Sequence, residues 1–115
     1  MRPREDTVLL RDMLDYACRA RDAVGSRSRA DLTADHILSA ALERFVEVIG
    51  EAAGRLSDET RDASPQIPWS EIIALRNRLV HGYFAVDHDI LWNIIQGDIP
   101  ELISTLEIIT EAEKT

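Results

Sequence analysis

Between Val8 and Val24 the apolar residues Leu10, Met13, Leu14 and Ala17 recur at i, i+3, i+4 and i+7, the stripe of an amphipathic helix. Thr7 or Asp6 is placed to cap its start and Gly25 to end it. The stretch from Gly25 to Asp31, with Ser26, Arg27, Ser28, Arg29 and Ala30 between, has no apolar period and reads as a plain connection. A second, longer helical pattern starts near Thr33 as N-cap. It carries Ile37, Leu38, Ala41, Leu42, Phe45, Ile49, Ala52 and Leu56 on one broad face. Gly50 and Gly54 lie one turn apart within it. Each costs roughly 1 kcal/mol relative to alanine, so the pattern predicts a close approach of another helix there, within the chain or across a dimer.

Ser57 to Pro68 breaks the period with Asp58, Asp62, Ser64, Pro65 and Pro68 and is the longest irregular stretch. Pro68 suits the first turn of a third helix, with Ser70 and Glu71 beside it. Ile72, Leu75 and Leu79 then form a stripe that runs to His81, and Gly82 closes it. A last pattern follows Asp87 or Asp89 as N-cap, with Ile90, Leu91, Ile94 and Ile95, then Leu102, Ile103, Leu106 and Ile109; Pro100 should kink or split it. Nothing alternates with period two over a useful length. The pattern therefore predicts an all-α, up-and-down helix bundle, and at 115 residues a single domain spanning 1–115.

Composition narrows the function more than the fold. No run approaches the roughly 20 apolar residues of a membrane span, and the charged start from Met1 to Asp6 is unlike a signal peptide. The expectation is a cytoplasmic protein with no membrane contact. Cys18 is the only cysteine, which leaves no disulfide framework and no multi-cysteine metal site; a buried structural thiol is its expected role. Thirteen Lys and Arg against 21 Asp and Glu give a net charge of −8, the wrong sign for coating nucleic acid by bulk electrostatics. Any contact with RNA must be local.

Such a local cluster exists in Leu75-Arg76-Asn77-Arg78-Leu79-Val80-His81-Gly82-Tyr83. Arginine grips a phosphate through paired hydrogen bonds and stays charged, while histidine exchanges a proton near neutral pH. Cutting RNA without metal requires a base for the ribose 2′-hydroxyl and a cation for charge growing on the phosphate oxygens. His81 and Arg76 match those two roles, and the absence of that hydroxyl from DNA restricts such a site to RNA. On a regular helix the two side chains stand about 140° apart. Two such helices meeting on a two-fold axis would complete a site from both protomers, which predicts a homodimer.

Each of these residues also has an ordinary explanation. Arg76 and Arg78 suit a solvated helix face with surface ion pairs. His81 suits a helix C-terminus, and Tyr83 the apolar contact that accompanies such an end. Trp69 and Trp92 read as packing residues. His88 between Asp87 and Asp89 reads as part of a helix start rather than a metal site, and His36 as a surface residue.

Arg76, four intervening residues, His81, Gly82 and Tyr83 together resemble the RX4HXY motif of HepT-like HEPN ribonuclease toxins. The text around the motif is similar as well. Phe45 to Leu56, containing Val48-Ile49-Gly50-Glu51-Ala52-Ala53, resembles the family's second helix, and Ile67-Pro68-Trp69 and Ile90-Leu91-Trp92 resemble the motif's flanks. The resemblance covers nearly the whole chain. It implies a HEPN-like bundle of four to five helices that dimerises, with motif residues of both protomers lining a cleft that cuts RNA without a metal or other cofactor. Arg76 and His81 would be the catalytic pair, and Asn77 and Arg78 would bind or orient phosphate. It further implies a MntA-type nucleotidyltransferase antitoxin that transfers AMP to the tyrosine, here Tyr83. Two other readings stay open. One is a non-catalytic HEPN binding partner or substrate of such a nucleotidyltransferase, and the other is a structural dimer assembled through Gly50 and Gly54.

Overall fold

The computed structural model describes residues 3–79 and 86–113. Helix α1 runs from Arg4 to Val24, preceded by Pro3 and closed by Gly25 at a φ of 52°, a left-handed conformation that glycine adopts without steric cost. Its buried stripe of Leu9, Leu10, Met13, Ala17, Ala20 and Val24 contains most of the expected periodic positions. The cap expected at Thr7 or Asp6 is corrected, because the helix starts earlier. Asp6 instead lies buried within it and ties the N-terminal turns to a distant part of the chain. Its carboxylate accepts from the Ser57 backbone N–H at 3.3 Å, the Ser57 hydroxyl at 2.5 Å and the Thr60 hydroxyl at 2.5 Å, as a buried charge requires.

The stretch expected to be a plain connection holds a short helix, α2 (Arg29–Ala34). Ser28 and Asp31 form a reciprocal capping box around its start, and Leu32 is buried. The long helix α3 (His36–Arg55) then begins after Asp35, whose carboxylate accepts from the N–H groups of Ile37 and Leu38 at 3.1 and 3.0 Å. Asp35 therefore takes the capping role expected of Thr33. Ile37 is 84% exposed, against the expectation that it joins the apolar face. It stands in the first turn, about 140° around the helix from the buried Leu42. The inward stripe is Leu38, Leu42, Val46, Ile49, Ala52 and Ala53.

The irregular stretch after α3 also contains a short helix, α4 (Asp58–Asp62), capped by Ser57. Helices α5 (Trp69–Ile73) and α6 (Leu75–Leu79) occupy the place of the expected third helix, broken at Ala74. Pro68 precedes α5 rather than lying in its first turn. The Trp69 indole N–H donates to the carbonyls of Arg61 and Ser64, both at 2.9 Å, which anchors α5 on α4. Gly50 supplies the close approach its position predicts, and the approach is internal. A Cβ there would lie 3.2 Å from the Ile72 carbonyl oxygen and 3.4 Å from that of Ile73.

Helix α7 (His88–Asn93) is capped by Asp87, which accepts from the N–H groups of Asp89 and Ile90. A π-helical turn (Ile94–Asp98) separates it from α8 (Ile99–Glu113). This is where the proline was expected to act: Pro100 has no N–H for the carbonyl four residues back, and its ring crowds that carbonyl, so the preceding turn widens. Helix α1 packs chiefly on α3 and α8, and α3 also receives α5 and α6. The core they share includes Leu10, Met13, Leu42, Ile49, Leu75 and Leu106. Cys18 is only half-buried against it. The architecture is all-α, as the periodicity predicts, and among the described residues no helix is long and apolar enough to cross a membrane.

Candidate functional site

Helix α6 is a single short turn whose two apolar residues, Leu75 and Leu79, are buried, while Arg76, Asn77 and Arg78 between them are exposed. Burial of the flanking leucines, each worth roughly 1.5–3 kcal/mol, therefore turns the polar triplet outward. Arg76 extends along α3, its Nε 3.6 Å from Oε1 of Glu47, and its side chain remains 63% exposed. Arg78 extends the other way and places Nη1 at 3.0 Å from Oδ2 of Asp98 in the π-helical turn. The two arginines thus have different surroundings. Arg78 braces α6 against the neighbouring turn, and Arg76 is the more open of the two.

The backbone beyond α6 is closed at its base, since the N–H of Asp87 donates to the carbonyl of Leu79 at 2.9 Å. Residues 80–85 between these points, including the expected catalytic His81, the expected helix-closing Gly82 and the expected AMP acceptor Tyr83, lie outside the described residues. On the far side of this base His88 opens α7. Its Nδ1 lies 3.0 Å from the Thr33 hydroxyl of α2, and next to it Asp89 accepts from Arg29 at 2.6 Å. His88 thus joins α7 to α2; among the described residues no group of His, Cys, Asp and Glu is placed to hold a metal ion. His36 is exposed, as expected.

Two acidic residues of α3 that sequence reasoning overlooked border this region. Glu47 forms an ion pair with Arg76 Nε at 3.6 Å through one oxygen and faces Arg44 Nη1 at 3.7 Å with the other. Glu43, one turn earlier, is half-buried, and that burial pushes its carboxyl above the usual range. The negative charge of Glu47 adds to the shift, and His88 opposes it. The available signal was their i, i+4 spacing in line with Gly50, on a face of α3 distinct from its apolar stripe. Nothing local in the sequence pairs either of them with α6.

An all-α bundle in which a short helix holds an exposed arginine five positions ahead of a histidine in the sequence fits the HEPN class. Residues 13–109 match the family described as "Ribonuclease HepT-like". The chain belongs to that HepT-like ribonuclease family. It is 30% identical over 109 residues to "Putative RNase MJ1380" of Methanocaldococcus jannaschii, covering 95% of this chain and 100% of that protein. Similarity to "Putative RNase TTE0752" of Caldanaerobacter subterraneus reaches 39% over 84 residues, 73% of this chain and 75% of that one. "Probable ribonuclease HepT" of Thermococcus cleftensis is 36% identical over 77 residues, 67% of this chain and 70% of its own length. No solved structure matches the chain.

Proposed function

We propose that the protein is a metal-independent endoribonuclease acting as the toxin of a toxin–antitoxin pair. The observation that carries this reading is the exposed Arg76 guanidinium on α6, five positions ahead of His81 in a chain of the HepT-like ribonuclease family. His81 takes the proton from a ribose 2′-hydroxyl, and the 2′-oxygen attacks the adjacent phosphorus. The bond to the 5′-oxygen breaks, that oxygen takes a proton from water, and the proton held by His81 returns to solvent. Arg76 meets the negative charge that grows on the non-bridging oxygens. The products are a 2′,3′-cyclic phosphate and a 5′-hydroxyl. Asn77 orients the phosphate, and Arg78 orients α6 by its pairing with Asp98.

The site is composite, formed by two copies of the chain about a two-fold axis, because the five-residue spacing of Arg76 and His81 would set them about 140° apart on a regular helix. Activity is silenced when a nucleotidyltransferase antitoxin directs the Tyr83 oxygen onto the α-phosphorus of ATP; pyrophosphate leaves and tyrosine carries AMP. With a net charge of −8, RNA is held by this cluster rather than by the surface as a whole.

The test is RNA cleavage in chelator by protein prepared without a partner and confirmed by mass to carry no AMP, beside His81→Ala. Cleavage by the wild type alone, with cyclic phosphate ends, is expected. An unmodified, folded dimer that cuts none of several RNAs, yet accepts AMP at Tyr83 from a nucleotidyltransferase, would instead identify a binding partner without catalytic activity.

A further inference from the structure

The guanidinium of Arg76 lies beside a carboxylate of the long helix α3. Its Nε faces Glu47 Oε1 at 3.6 Å, while the other oxygen of the same carboxylate faces Arg44 Nη1 at 3.7 Å. Glu47 is the less exposed partner, at 30% against 63% for each arginine, and it stands on α3, the long helix whose inner face is part of the core. Glu47 thus stands between two arginines, on a helix whose opposite face is anchored in the core. A guanidinium offers five N–H donors in a rigid plane. With its Nε edge turned to Glu47, the two terminal nitrogens remain to form a forked contact with a phosphate.

We propose that Glu47 is the positioning residue of the site: it holds Arg76 by the Nε edge so that the terminal guanidinium nitrogens face the scissile phosphate of RNA. This rests on the reading of Arg76 as the phosphate-stabilising cation. Glu47 touches no substrate atom and acts only through Arg76. An exposed ion pair of this kind adds little to folding stability, which separates its effect on activity from its effect on the fold.

The experiment is steady-state cleavage of one RNA oligonucleotide by Glu47→Gln, Glu47→Asp and Arg76→Ala, with thermal melting of each. Glu47→Gln is expected to lower kcat about tenfold through lost orientation, while KM stays level or falls, because one negative charge has left the vicinity of the RNA. A disturbance of the fold would instead lower the melting temperature and raise KM. Glu47→Asp keeps the charge on a shorter stem and should recover part of the loss. Independently of activity, the Arg76 Nε–H resonance in a 15N spectrum should be distinct in the wild type and merge with solvent-exposed arginines in Glu47→Gln. A kcat within twofold of wild type in Glu47→Gln, no recovery in Glu47→Asp, or an unaltered Arg76 resonance would each overturn the assignment of Glu47. Should Arg76→Ala cleave as the wild type does, the reading of Arg76 itself fails; an inactive Arg76→Ala beside a fully active Glu47→Gln removes Glu47 alone.

Discussion

Helices α1 and α3 enter the core along several turns of apolar residues, whereas α6 enters it through two leucines and carries its polar residues on the outside. The long helices contribute Leu10, Met13, Ala17, Leu42, Val46 and Ile49 to a single apolar core, where burial of each large side chain is worth roughly 1.5–3 kcal/mol. Helix α6 has only Leu75 and Leu79 in that core. Its other attachments are the Arg76–Glu47 and Arg78–Asp98 pairs and the Leu79–Asp87 backbone bond across the base of the following segment. Surface pairs of this kind contribute about 0–1 kcal/mol. Stability therefore resides in the long helices, and the polar residues of α6 can serve chemistry with little consequence for folding. The lesson is a separation of roles along one chain.

The largest effect that could break this separation comes from the core. Leu42→Ala should lower unfolding free energy by about 2–5 kcal/mol, read from urea denaturation, while the cleavage rate per folded molecule stays near wild type. A selective loss of activity at full stability would show that the core tunes the site directly. Gly50 is where the two regions meet. Gly50→Val would push side-chain atoms against the Ile72 and Ile73 carbonyls and should cost about 1–3 kcal/mol. Because those carbonyls belong to the helix that leads into α6, activity should fall as well, so this variant departs from both patterns. Full activity after Gly50→Val would mean that α5 moves without carrying α6.

The smallest expected effect is a matter of pH. Burial holds the Glu43 carboxyl above the usual carboxylate range, assisted by Glu47 and opposed by His88. The native state therefore binds this proton more tightly than the unfolded chain, and stability falls as pH rises through the window between the two values. Above that window burial penalises the charged form, so Glu43→Gln should be slightly more stable than wild type. The advantage should vanish once the pH drops below the unfolded carboxylate range, where Glu43 is neutral in both states. Parallel stability–pH curves for the two proteins would contradict this.

The sequence made the long elements legible because each carries several turns of periodic apolar residues; the α1 and α3 stripes and the break around Pro100 follow from spacing alone. Helices α2 and α4 escaped it, since so few residues supply no period. The Ser28–Asp31 capping box and the Ser57 cap were their local signs. Thr33 was expected as the cap of α3, yet Asp35, two residues on, holds the N–H groups and Thr33 turns to Arg29 and His88. Two adequate cap residues so close together differ in sequence by almost nothing. The sequence offers Arg76, Asn77, Arg78, His81 and Tyr83 as a candidate site because they lie together in the chain. Glu47 and Asp98 were not legible there, because their pairing with α6 depends on how separate helices pack, which neither spacing nor charge pattern encodes.

The most direct measurement compares Arg76→Ala with the wild type in two assays on the same preparations, RNA cleavage in chelator and urea unfolding. Arg76→Ala should lose about 100-fold or more in cleavage, the scale of removing one charge-stabilising group from a reacting centre, with its unfolding midpoint unchanged. Cleavage within a few-fold of wild type, or a loss that tracks a lower midpoint, would contradict the assignment of chemistry to α6 and of stability to the long helices.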